Sequence, residues 1–102
     1  MTRYRVRLTV EAEADLLRLD DFLLEHDLSV AERALEAIKE AMRLLEQFPF
    51  SCRKAGGGLH GPRVREMLIP FGASGYVALF EIEDARTATI LAIRHQRESD
   101  YH

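Results

Sequence analysis

The chain has 102 residues, 47% of them hydrophobic and 30% charged, with a formal net charge of −3 and a single cysteine. This length is expected to make one domain over 1–102 that buries roughly 60–70% of its unfolded surface without metal or disulfide staples, and the lone Cys52 suits a reducing, cytoplasmic setting. No leader-like apolar core or membrane-length apolar run is present, so no membrane partner is expected, and the acidic balance argues against a protein that works through a basic nucleic-acid stripe.

Arg3 to Thr9 alternates charged and apolar side chains, the period of a half-buried strand at or near a sheet edge, with Tyr4, Val6 and Leu8 inward. Thr9 can cap a first helix over about Val10 to Glu25, and Glu11, Glu13 and Asp15 complement its positive end. Ala12, Leu16, Leu19 and Leu23 recur as one apolar stripe, which Leu17, Phe22 and Leu24 are expected to widen. His26-Asp27-Leu28 breaks the pattern. Ser29 with Glu32 three residues on predicts a capping box that opens a second helix. Ala31, Ala34, Leu35, Ile38, Ala41, Met42, Leu45 and Phe48 form its stripe, Ala37 and Leu44 broaden it, and Pro49 stops it. The small alanines permit close approach, so the helices are expected to pack as an antiparallel hairpin over one face of a sheet.

Phe50 to Pro62, with Gly56-Gly57-Gly58 and Gly61-Pro62, reads as a flexible connection. It is no phosphate loop, because no Lys-Ser/Thr follows the glycines. Three β-type runs then succeed one another at short intervals: Val64 to Pro70, Tyr76 to Ile82 and Thr87 to Ile93. They predict an antiparallel meander and complete the order β-α-α-β-β-β. The expected fold is α+β, a helical hairpin packed on a largely antiparallel four-stranded sheet. Charge divides between the halves: residues 1–48 carry seven basic and eleven acidic side chains, giving −4, and 49–102 carry seven and six, giving +1.

The histidines His26, His60, His95 and His102 lack metal-site spacing, and neither a metal nor a cofactor is expected. Ser51, Ser74 and Ser99 lack the setting of a nucleophile elbow, and Cys52 has basic neighbours but no evident base. The last strand is the more serious candidate, since it leads into Arg94, His95, Arg97 and Tyr101. With Arg65, these are the residue types a metal-free ribonuclease uses to stabilise a phosphorane and protonate a leaving oxygen. Pairing of Arg94 and Arg97 with Glu66, Glu98 or Asp100, with Tyr101 covering the core edge, explains the same cluster without function and is the commoner case.

Ala12-x-x-Asp15-Leu16, Phe48-Pro49, Arg65-Glu66-Met67, Ile69-Pro70-Phe71 and, most specifically, Ile90-Leu91-Ala92-Ile93-Arg94-His95-Gln96-Arg97-Glu98 give the whole chain its likeness to a known group. It resembles toxins of the RelE/ParE superfamily from bacterial type II toxin–antitoxin modules, in particular the ParE-like, plasmid-stabilisation branch. The resemblance implies a toxin neutralised by a cognate antitoxin that wraps it, with any DNA contact made only through that antitoxin. ParE-type members inhibit DNA gyrase, and RelE-type members cleave mRNA on the ribosome. Many members carry Tyr-Arg-x-x-Tyr where this chain has Tyr76-Val77-Ala78-Leu79-Phe80, so the phosphorane-neutralising arginine is replaced by Val77. Of the paired lysines of RelE-type sites only Lys54 remains. The expected function is therefore contact inhibition of gyrase, with Arg63, Arg65, Arg94, His95, Arg97 and Tyr101 facing the target. The alternatives are a ribosome-dependent endoribonuclease using Arg65, His95 and Tyr101, and a non-toxic, antitoxin-binding relic.

Overall fold

The computed structural model describes residues 3–55, 63–72 and 74–96. The chain runs β1 (Arg5–Leu8), α1 (Val10–His26), α2 (Leu28–Gln47), a 3₁₀ turn (Pro49–Ser51), β2 (Arg53–Lys54), β3 (Val64–Phe71), β4 (Ser74–Ile82) and β5 (Thr87–His95). The strands form one five-stranded sheet in the order β1-β5-β4-β3-β2. The predicted meander is present as β3-β4-β5, and β1 is an edge strand, but it pairs with β5 in parallel, which makes the sheet mixed.

Two helices of opposite direction follow one another because Asp27 serves both. Its backbone N–H donates to Leu23 at the end of α1, and its carboxylate accepts from the N–H groups of Ser29 and Val30 at the start of α2. This corrects the predicted capping box. Ser29 already lies inside the first turn, and the amides that a cap must satisfy are taken by Asp27. Thr9 caps α1 as expected, its hydroxyl accepting from Ala12 N–H.

The helices cover one sheet face. Ala12 and Leu19 of α1 and Ala34, Ile38, Ala41 and Leu45 of α2 meet Ile69, Tyr76, Ala78, Phe80, Ile82, Ala88, Ile90 and Ile93. Of the residues expected to widen the helix stripes Ala37 packs against this core, but Leu17, Phe22 and Leu24 are 64%, 60% and 45% exposed and Leu44 47%, and Phe48, expected in the second stripe itself, is 49% exposed. Leu16 and Leu23 of α1 and Ala37 and Met42 of α2 pack partly buried at the margin of the core.

A second correction concerns the Phe50–Pro62 connection. Its first residues form the 3₁₀ turn and then β2, whose Arg53 lies opposite Glu66 of β3 and ion-pairs with it at 2.7 Å. A two-residue strand has no readable period, so it adds a strand to the four expected. Gly56-Gly57-Gly58, Gly61 and Pro62 lie outside the described residues. The far face of the sheet carries a smaller buried cluster of Ala55, Val64, Leu79 and Ala92, with Leu91 against it.

Candidate functional site

β4 and β5 keep an antiparallel register except between Leu79 and Phe80, which face Ala92 and Ile90, leaving Leu91 as the extra residue of a bulge. The bulge resets the alternation of β5. Ala88 and Ile90 point to the helices before it, Ile93 and His95 after it, and Arg94 turns to the far face opposite Val77.

β1 runs out at Leu8, opposite Ile90, so the next polar groups on that edge of β5 need other partners. The start of α1 supplies them. Thr9 N–H donates to Ile90 O at 3.0 Å, Thr9 Oγ1 donates to Leu91 O at 3.3 Å, and the buried Asp15 carboxylate accepts from Ile93 N–H at 2.9 Å. The sequence places Asp15 in a shared motif and among the acids expected to complement the helix end, whereas the structure buries it against β5. Its hydrogen bond ties the bulged strand to α1 one residue before Arg94.

At that end His95 stands in register with Tyr76, with the rings edge to face at 5.7 Å and 85°, while Phe71 stacks on the other side of Tyr76 at 6.0 Å. Burial pushes the Tyr76 hydroxyl above its ordinary pKa, which keeps it protonated. The Arg94 guanidinium donates to the carbonyls of His95 and Gln96 at 3.2 and 3.4 Å, bracing the strand end. Arg97 and Tyr101 lie outside the described residues.

Arg65 belongs to the other end of the sheet. It is in register with Phe80, four positions of β4 from Tyr76, a separation of roughly 13 Å along the strand. Its guanidinium donates to Cys52 O at 2.6 Å and Phe50 O at 3.4 Å and lies 5.4 Å from the centre of the Phe50 ring. Arg63 joins it there and donates to Glu83 O at 2.7 Å. The residues expected to act together thus form two groups: Arg94 with His95, and Arg63 with Arg65. Val77 is 3% exposed and packed opposite Leu68 and Arg94 on the far face. Cys52 is no activated nucleophile, since burial raises its thiol pKa by more than Arg65 lowers it. Among the described residues no three His, Cys, Asp or Glu side chains gather as a ligand set for a metal ion, and no helix is long and apolar enough to cross a membrane.

The sequence reading missed a larger arginine cluster. Arg63 and Arg65 are joined at their end of the sheet by Arg3, Arg5 and Arg86, and no run in the sequence signals this, because the parallel pairing of β1 with β5 brings them together.

Comparison with known proteins agrees with this architecture. The chain is 33% identical over 79 residues to Toxin RelE1 of Caulobacter vibrioides, an alignment covering 78% of this chain and 80% of that one. Its fold superposes on a solved structure of the chromosomal ParDE TA system from P. aeruginosa with a TM-score of 0.69, at 21% identity, over 93% of this chain and 98% of the other. The family model described as the ParE toxin of the type II toxin–antitoxin system parDE matches residues 6–100. The chain therefore belongs to the ParE family, within the RelE/ParE superfamily of type II toxin–antitoxin toxins.

Proposed function

We propose that this toxin acts by protein contact on a topoisomerase, DNA gyrase, and that a cognate antitoxin neutralises it by covering part of its surface. The observation that carries the reading is the separation of Arg65 from His95, at registers Phe80 and Tyr76. A ribonuclease needs its charge-stabilising cation and its proton donor within hydrogen-bond reach of one phosphate. Here Arg65 is engaged by two backbone carbonyls and the Phe50 ring. A buried Val77 stands where many nucleolytic relatives carry arginine. In this reading Arg94, His95, Arg97 and Tyr101 form one target contact and Arg63 with Arg65 a second. A protein partner can span both, whereas a reacting phosphate cannot.

The antitoxin is proposed to lie on α1. Val10, Leu17 and Leu24 recur every seven residues on its outer side at 77%, 64% and 45% exposure. At helical spacing Glu13 and Asp20 flank that row on one side and Asp21 and Glu25 on the other. An apolar row between carboxylates complements a cationic amphipathic segment.

Similarity to a protein named Toxin RelE1 makes the ribonuclease the competing reading. One pair of assays decides between them. The purified toxin is expected to block gyrase supercoiling and to leave ribosome-bound mRNA intact. Site-specific mRNA cuts with unimpaired supercoiling would replace contact inhibition by nuclease action.

A further inference from the structure

Where β1 and β5 begin, two clefts open side by side and share Asp84 and Ala85 of the β4–β5 turn as a common wall. One, of about 590 Å³, is lined by Arg3, Arg5, Arg86 and Thr87, and the other, of about 350 Å³, by Tyr4, Phe50, Arg63, Arg65 and Ile82. Five arginines converge here, and Asp84 is the one carboxylate in either lining. Asp84 is occupied by its own turn, where Oδ1 accepts from Arg86 N–H at 2.8 Å. None of the five arginines ion-pairs with a carboxylate among the described residues.

A chain of net charge −3 that gathers five cations at one end against the single carboxylate of Asp84, which Arg5 already attracts, leaves an excess of positive charge there, and like charges repel. An anionic ligand would relieve the repulsion. The aromatic half of the lining narrows its chemistry. Phe50 is 60% exposed, Tyr4 meets it edge to face at 6.2 Å, and the Arg65 guanidinium lies against its ring. Tyr4 is half-buried against the core while Phe50 keeps most of its apolar surface open, and a planar base is the group that would use that surface. An acidic peptide would answer the arginines and leave the rings unused.

We propose that the paired cleft binds a nucleotide unit, with the base against Phe50 and Tyr4 and the phosphate among Arg3, Arg5 and Arg86. The site stands apart from the Arg94–His95 end and shares Arg63 and Arg65 with the second target contact proposed above, so a ligand seated there would compete with that contact. A free nucleotide and a single strand offer the same chemistry, and the test separates them.

Labelled oligothymidylate and, separately, ATP are titrated against the full-length chain over a range of salt concentrations. Oligothymidylate is expected to bind with log K falling against log salt by roughly 0.7 for each phosphate neutralised. Arg5→Gln with Arg86→Gln should lower affinity about tenfold or more and flatten that slope by roughly 1.4. Phe50→Leu should lower affinity at least about fivefold through loss of stacking. Arg33→Gln removes the same charge from an exposed position on α2 and should change neither quantity. Binding of the oligonucleotide without ATP assigns the site to a strand, and binding of ATP assigns it to free nucleotides. The proposal falls if neither binds, or if polyglutamate binds as tightly and Phe50→Leu has no effect. Should Phe50→Leu fail to fold by circular dichroism, the exposed arginine pair decides the outcome.

Discussion

Asp15 is 4% exposed on a helix whose other carboxylates are exposed or, at Asp20, half-buried, and its partner is a backbone amide in a strand 78 positions away. Arg18 stands one turn on, at 3.9 Å from the second carboxylate oxygen. Removing the carboxylate leaves Ile93 N–H buried beside a bulge with no strand to pair it. Asp15→Ala should therefore destabilise the chain by about 1–3 kcal/mol, the usual penalty for an orphaned buried donor. Asp15→Asn keeps an oxygen that can accept, so it should lose clearly less. Urea denaturation of the three proteins measures this order. Equal losses would mean that the carboxylate acts through its charge toward Arg18 rather than through the hydrogen bond.

At the scale of elements, the β3–β4 hairpin depends on two glycines for different reasons. Gly72 turns the chain with φ of 63°, where a side chain is strained. Gly75 has an ordinary backbone, but a Cβ there would run into the Ile69 carbonyl oxygen and the Phe71 nitrogen of the facing strand. Gly72→Ala has open space around it and should cost about 1 kcal/mol. Gly75→Ala must push two hydrogen-bonded strands apart, so it should cost distinctly more and expose Tyr76, which thermal melts and tyrosine fluorescence would register. A Gly75→Ala protein as stable as the parent would show that the hairpin end yields freely.

The same elements mark what was legible in the sequence. Thr9, the alternating strands and the alanine-rich stripes each carry a local signal, and each forms the element expected of it. Asp27 has no separate signal, because Ser29 and Glu32 match a familiar cap pattern two residues later. β2 has no period, and its pairing rests on Arg53 finding Glu66 across the chain. In the candidate site, the strand leading to Arg94 and His95 could be read directly. The distance of Arg65 from His95, by contrast, depends on sheet register, and the company of Arg3, Arg5 and Arg86 depends on a parallel pairing between residues about eighty positions apart in the chain.

On the scale of the whole molecule, charge is polarised. α1 carries Glu11, Glu13, Asp15, Asp20, Asp21 and Glu25 against Arg18 alone, while the arginines gather at one end of the sheet. The two surfaces therefore suit partners of opposite sign, and occupation of one leaves the other open. The acidic helix also carries the exposed row that the antitoxin is proposed to cover. Because Leu17 and Leu24 are 64% and 45% exposed in the free toxin, their replacement should barely change its stability, within about 0.5 kcal/mol for surface changes of this kind. Leu17→Gln with Leu24→Gln keeps side-chain length and helix propensity while removing apolar contact. If these leucines anchor the antitoxin, the pair should weaken its binding by roughly 30-fold or more, since buried anchors commonly contribute about 2 kcal/mol or more. Calorimetric titration with the protein encoded beside the toxin gene measures the change, and thermal melts of free toxin supply the control. Unchanged affinity in the Gln variants would move the antitoxin off α1, leaving the far face of the sheet, where Leu68 is 46% exposed, as the apolar surface to test next.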